Sequence, residues 1–138
     1  MAEDRLNHQM GADPAMEFAI VLLDVKDLKK INDSKGHNAG DEFLRAACKI
    51  ICTTFKHSPV FRIGGDEFAV IAQGSDYKNI GELMERMDRH NNAAVGSGGI
   101  VIACGMAKRE GDESVAQIFE RADQRMYDNK NDLKAKKQ

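Results

Sequence analysis

The sequence predicts an α+β domain with a ferredoxin-like, split βαβ core. The expected order is β-α-β-β-α-β-α, with a central antiparallel sheet flanked by helices. Three observations carry this. Residues 17–24 (Glu-Phe-Ala-Ile-Val-Leu-Leu-Asp) form a near-continuous apolar run that suits a central strand buried on both faces and ending in an acid. Two apolar stretches, 60–63 and 67–72, flank a Gly-Gly pair and read as a hairpin. Apolar residues then recur at helical spacing in three places. These are Phe43 to Phe55 (through Leu44, Ala47, Cys48, Ile51 and Cys52), Ile80 to Met87 (through Leu83 and Met84), and Val115 to Met126 (through Ile118, Phe119 and Ala122).

Each element has its own justification. The first long helix has Asn38 as its expected N-cap and stops before Pro59. Gly64-Gly65 is expected to supply the positive-φ backbone of a two-residue turn and to let a ligand approach the main chain. A further strand is expected over 99–107, and Ser114 with Gln117 forms a capping box that starts the last helix. Parallel pairing of the first strand with its neighbours would bring Asp24 beside the hairpin tip.

With 138 residues the chain is one domain, and a net charge of −2 gives no general attraction to nucleic acid or anionic lipid. No apolar run reaches the roughly 18–20 residues that span a bilayer. We therefore expect no nucleic-acid partner, no direct membrane contact and a cytoplasmic location, which includes the cytoplasmic domain of a membrane-bound protein. The three cysteines carry no Cys-x-x-Cys spacing, and Cys48 and Cys52 lie four apart on an apolar helix face, so both are expected as buried reduced thiols.

Asp66 and Glu67 follow the glycines directly. Adjacent carboxylates repel, a tension relieved by a bridging divalent cation or by a raised pKa suited to proton transfer. A Gly-Gly-Asp tip in solvent is the plainer reading, since these are ordinary turn residues. Asp24, brought beside the tip, would make three converging acids.

The stretch Arg62-Ile63-Gly64-Gly65-Asp66-Glu67-Phe68 resembles the signature of the GGDEF family of diguanylate cyclases. Upstream, Asp24-Val25-Lys26-Asp27-Leu28-Lys29-Lys30-Ile31-Asn32-Asp33 is similar to that family's D-x-x-x-[FL]-K-x-I-N-D. Gly36-His37-Asn38-Ala39-Gly40-Asp41 is similar to its G-H-x-x-G-D. Downstream, Ala122-Asp123-Gln124-Arg125-Met126-Tyr127-Asp128-Asn129-Lys130 resembles the A-D-x-x-[LM]-Y-x-x-K of its closing helix. The resemblance covers roughly residues 17–134, the expected catalytic core, and implies kinship with nucleotidyl cyclase and polymerase palm domains.

The resemblance implies that Asp24, the main-chain carbonyl of Val25 and Asp66 bind Mg²⁺ or Mn²⁺, with Asp66 and Glu67 at the catalytic centre. Asn32 and Asp41 would contact guanine, whose N1–H and N2–H₂ donors and O6 acceptor call for a carboxylate and an amide. Structurally, Asn32-Asp33 also reads as a turn and Asp41 as a helix N-terminal acid. Lys29 and Lys130, with the loop from Val25, would hold phosphates, and Gly64 and Gly65 would line the substrate site. The implied reaction condenses two GTP into cyclic di-GMP with release of two pyrophosphates. It requires two domains facing each other antiparallel, a dimer normally imposed by an upstream sensory domain. A catalytically silent GTP-binding or protein-interaction module is the alternative.

Four departures stand out. Lys26 occupies a position where many members carry a second Asp. Lys134 stands where an Arg is usual, keeping the charge without the bidentate fork, and also reads as a solvated tail residue. Phe55-Lys56-His57-Ser58 replaces the Arg-x-x-Asp of the product-inhibition site, so feedback through it is not expected. The family's D-x-L-T-G-L-x-N-R opening is missing before Glu17, so residues 1–16 are expected to be a helix remnant and linker from a larger multidomain signalling protein.

Overall fold

The computed structural model describes residues 16–111 and 114–137. Nearly all of the expected helix remnant and linker lies outside them.

The chain runs β1 (Ala19–Val25), α1 (Leu28–Lys35), α2 (His37–Thr54), β2 (Val60–Arg62), β3 (Glu67–Ala72), α3 (Gly74–Lys78), α4 (Ile80–Ser97), β4 (Ile102–Lys108) and α5 (Val115–Lys137). The sheet order is β2-β3-β1-β4, and every adjacent pair is antiparallel. This is the split βαβ core, with α1 and α3 added to the expected order. The expected parallel pairing of β1 is corrected. β3 leaves the hairpin running antiparallel to β1, which still sets Glu67 opposite Asp24 at the strand's C-terminal end.

β1 is buried along its whole length, and the alternation of a strand divides its side chains between two cores. Ala19, Val21, Leu23 and Val25 pack with Ala47 and Ile51 of α2, with Phe55 just after it, and with Leu83 and Met87 of α4. Phe18, Ile20 and Leu22 pack with Ile118, Ala122, Met126 and Leu133 of α5. Asp24 shares the second parity and therefore faces α5.

Two glycines fix helix placement. Gly36 takes φ 88°, ψ 168°, open in practice to glycine alone, and makes the corner that turns α1 into α2. Gly36, and not Asn38, is the N-cap of α2. At Gly105 of β4 the backbone of α5 comes so close that a Cβ would lie 2.2 Å from Met126 N and 2.3 Å from Ala122 O. α5 also covers the outer edge of β4. Cys104 N donates to Asn129 Oδ1 (3.0 Å) and Arg125 Nη1 to Met106 O (2.6 Å), while Arg121 Nη2 donates to Lys108 O. Asn91 of α4 holds both polar groups of Ile102, at 2.7 and 2.9 Å. Strand edges left with unpaired polar groups invite pairing with other chains, and here side chains meet that need.

β4 starts later than expected because Gly98 ends α4 in the left-handed conformation (φ 76°) and its N–H bonds Ala94 O. The capping box is present, with Ser114 N donating to Gln117 Oε1 (2.8 Å) and Gln117 N to Ser114 Oγ (3.2 Å). The buried-thiol expectation fails for Cys52, which is exposed, while Cys48 is half-buried. The two sulfurs lie 3.8 Å apart on the side of α2 that meets β2, where the sheet ends.

Candidate active site

Asp24, Asp66 and Glu67 converge, each offering a carboxylate oxygen within 4.8 Å of the others. The backbone explains this. Asp24 and Glu67 are direct cross-strand partners, and Val25 N donates to Asp66 O at 2.8 Å, so the loop end is stitched to the strand end. Like charges facing each other across strands are destabilising, and α5 supplies the compensation. Lys130 Nζ forms an ion pair with Asp24 Oδ2.

The electrostatics record this crowding. Burial, first, and then the charge of Asp66 push the Asp24 carboxyl above its ordinary range, against the pull of Lys130. Glu67 is raised by burial and next by the charge of Asp24. Lys130 is raised chiefly by its hydrogen bond to Asp24.

Gly64 and Gly65 depart from expectation. Positive φ among glycines of the described residues occurs at Gly36, Gly74, Gly98 and Gly111, and the connection from Arg62 to Glu67 is a four-residue loop, not a two-residue turn. With four residues to reverse direction, the loop needs no left-handed backbone. Ile63 N and Gly64 N both donate to Glu67 O, and Arg62 reaches back from β2 to donate to Gly64 O (3.2 Å) and Gly65 O (2.7 Å). The exposed glycines are thus held by their carbonyls. Arg62 was not singled out from sequence, although an Arg directly ahead of an exposed glycine loop is a visible candidate for that clamp.

Two grooves flank this loop. One, of about 600 Å³, is lined by Asp27, Leu28, Lys29, Lys30, Asp33, Ser34 and Asp66, so Lys29 shares a cavity with one acid of the cluster, Asp66. The other, of about 460 Å³, is lined by Asp41, Leu44, Cys48, Arg62 and Phe68 among others. Asn32 lies in α1, not in a turn, and its carboxamide sits against Gly40, next to Asp41. Lys134 is exposed one helical turn beyond Lys130. Lys26 lines a separate crevice with Ala94, Val95, Gly98, Gly99 and Leu133.

The family profile described as "Diguanylate cyclase, GGDEF domain" matches residues 1–136. The chain belongs to the GGDEF family. It is 34% identical over 112 residues to the diguanylate cyclase DgcS of Shewanella oneidensis, covering 79% of this chain and 38% of that protein. It is also 34% identical over 123 residues to DgcM of Escherichia coli, covering 86% and 30%. The chain thus spans about a third of the length of these relatives. In fold it is similar to the crystal structure of the GGDEF domain of DgcB from Caulobacter crescentus in complex with c-di-GMP. There the TM-score is 0.76 at 24% identity, over 94% of this chain and 82% of that one.

In this GGDEF domain the segment at the family's product-inhibition position serves the fold. Phe55 is in the core, and His57 N (2.9 Å) and Ser58 Oγ (2.6 Å) donate to buried Asp76 Oδ2. Among the described residues no helix is long and apolar enough to cross a membrane.

Proposed function

We propose that this domain is one half-site of a diguanylate cyclase. Each domain holds one GTP. Two domains facing each other antiparallel join the 3′-oxygen of each nucleotide to the α-phosphorus of the other, and each P–O bond to pyrophosphate breaks. The products are cyclic di-GMP and two pyrophosphates. The observation that carries this reading is the cluster of Asp24, Asp66 and Glu67 beside a lysine and a groove.

The donor set fits a hard divalent cation. Carboxylate oxygens within 4.8 Å of one another are compatible with Mg²⁺, or Mn²⁺, whose opposed ligands lie about 4 Å apart, and one or two carboxylates plus substrate phosphates are the usual Mg²⁺ ligands. Asp24, Asp66 and the Val25 carbonyl would hold it, and when bound it neutralises phosphate charge and acidifies the attacking hydroxyl. The protein's own groups do the rest. Lys29 and Lys130 bind the β and γ phosphates and receive the leaving pyrophosphate, with Lys134 adding charge one turn on. Asn32 and Asp41 select guanine, and Gly64 and Gly65 leave room for the nucleotide over their backbone. Asp24 is engaged by Lys130, so Glu67, raised by burial, is the carboxylate we assign to take the proton of the 3′-hydroxyl. A second copy is an obligatory partner, brought together in the cytoplasm by an upstream sensory domain.

The test is cyclic di-GMP formation from GTP and Mg²⁺ by the chain fused to a constitutive dimeriser. Product from the wild type, with at least about a hundredfold loss in Asp66→Ala, is expected. No product from a folded, GTP-binding fusion would refute the cyclase reading in favour of a silent module.

A further inference from the structure

Gly40 lies in the first turn of α2, buried, and its missing side chain is occupied by a neighbour. A Cβ built there would lie 1.6 Å from Asn32 Oδ1 and 2.7 Å from Asn32 Cγ, with Nδ2 farther out at 3.4 Å. No real Cβ contact approaches 1.6 Å, so the Asn32 carboxamide fills the place of a side chain at residue 40. The backbone fixes this register. Gly36 N donates to Asn32 O (3.0 Å) and Gly40 N to Gly36 O (3.2 Å), so Asn32, Gly36 and Gly40 are linked across the α1–α2 corner. Against a glycine Cα–H the carbonyl oxygen is the end that fits, since it accepts a weak C–H contact that an NH₂ group cannot. The carboxamide is thereby oriented with its NH₂ on the side away from Gly40, and Asp41 follows Gly40 directly in α2.

We propose that Gly40 is a specificity-positioning residue. It seats Asn32 so that Nδ2 donates to guanine O6 while Asp41 accepts from N1–H and N2–H₂. This deepens the proposed function and rests on it. A purine with a donor in place of O6 would meet the Nδ2 donor with another donor. Adenine nucleotides are therefore rejected for a reason that originates at residue 40, a group that touches no substrate.

The test is a double-mutant cycle on the full chain, with equilibrium binding of GTP, ITP and ATP measured in Ca²⁺. Asn32→Ala is expected to weaken GTP binding about tenfold, the effect of losing one hydrogen bond to the base, and to strengthen ATP binding, because the donor facing the adenine amine is gone. Gly40→Ala is expected to do the same, because the new methyl expels the carboxamide. In Asn32→Ala the space is vacant, so adding Gly40→Ala should cost less than about twofold. Melting temperature provides a second readout: any destabilisation by Gly40→Ala should disappear in the Asn32→Ala background. Wild-type GTP affinity in Gly40→Ala, or a full tenfold loss added to that of Asn32→Ala, would overturn the positioning role while leaving the guanine reading intact. If the wild type binds ATP as well as GTP and Asn32→Ala changes neither, both fail.

Discussion

The acidic cluster makes an opposing demand on stability, and Asp66→Asn separates the two sides. Oxygens of Asp66, Asp24 and Glu67 lie within 4.8 Å, a distance at which two unit charges repel by about 1 kcal/mol in water and about 3.5 kcal/mol at an effective dielectric of 20. Lys130 offsets part of this, so the low end is the fair expectation. Asp66→Asn keeps the shape, removes one charge and puts an N–H near Asp24. The metal-free variant should gain about 1 kcal/mol, or about 4 °C in melting temperature for a chain of this size. The pH dependence has a definite sign. Asp24 and Glu67 are raised in the folded state, so their contribution to stability is fully present below the ordinary carboxylate pKa of about 4 and is lost as pH rises through the raised values. The variant should lose less over that rise. Millimolar Mg²⁺ should raise the melting point of the wild type and leave the variant unmoved. Scanning calorimetry across pH, in chelator and in Mg²⁺, measures all of this. A variant that melts at or below wild type in chelator, or that gains as much from Mg²⁺, would refute the reasoning.

Gly105→Ala should cost about 3 kcal/mol or more in urea unfolding, since the methyl meets the α5 backbone and not a movable side chain, and a loss under about 1 kcal/mol would show that α5 can shift. Arg62→Ala should change stability by no more than about 1 kcal/mol while accelerating hydrogen exchange over 63–66, and unchanged exchange there would deny Arg62 its clamping role. In native protein a thiol reagent should modify Cys52 first and Cys104 only on unfolding, because burial pushes the Cys104 thiol up to about 12. Equal rates at the two would contradict their placement.

The sequence carried the core well because its signals there are local. The apolar run of β1, the helical spacing of α2 and α5 and the Ser114–Gln117 box each specify an element without reference to distant residues. The three acids were legible as types, but their meeting depends on an antiparallel register that no local signal encodes. The glycines misled in an instructive way. Gly64 and Gly65 invited a positive-φ turn and take none, whereas Gly36, Gly40 and Gly105 are the positions where absence of a side chain is required. At Gly36 the requirement is the backbone conformation itself, and at the other two it is set by what packs against the residue: Asn32 at Gly40, and the backbone of α5 at Gly105.

Lys26 puts a cation two residues after Asp24, where it would weaken a metal site if it pointed inward, and its placement turns the question toward Lys130. The chain leaves the sheet after Val25, Lys26 N bonds Val101 O at 3.0 Å, and Asp27 adopts a left-handed conformation with φ 66°. That turn carries Lys26 to the crevice beside Ala94, Gly99 and Leu133, while Asp66 and Lys29 line another cavity. The cation at Asp24 therefore comes from α5, and any divalent ion must share Asp24 with Lys130 or displace it. Displacement is tolerable because a lysine ammonium on a flexible stem can swing from carboxylate to phosphate, so neither charge is left buried and unpaired. An arginine at 130 would hold the carboxylate bidentately and release it less readily. On this argument the ion pair holds Asp24 until a cation and its phosphates arrive together, and bare Mg²⁺ should bind more weakly than Mg²⁺ accompanied by a nucleotide.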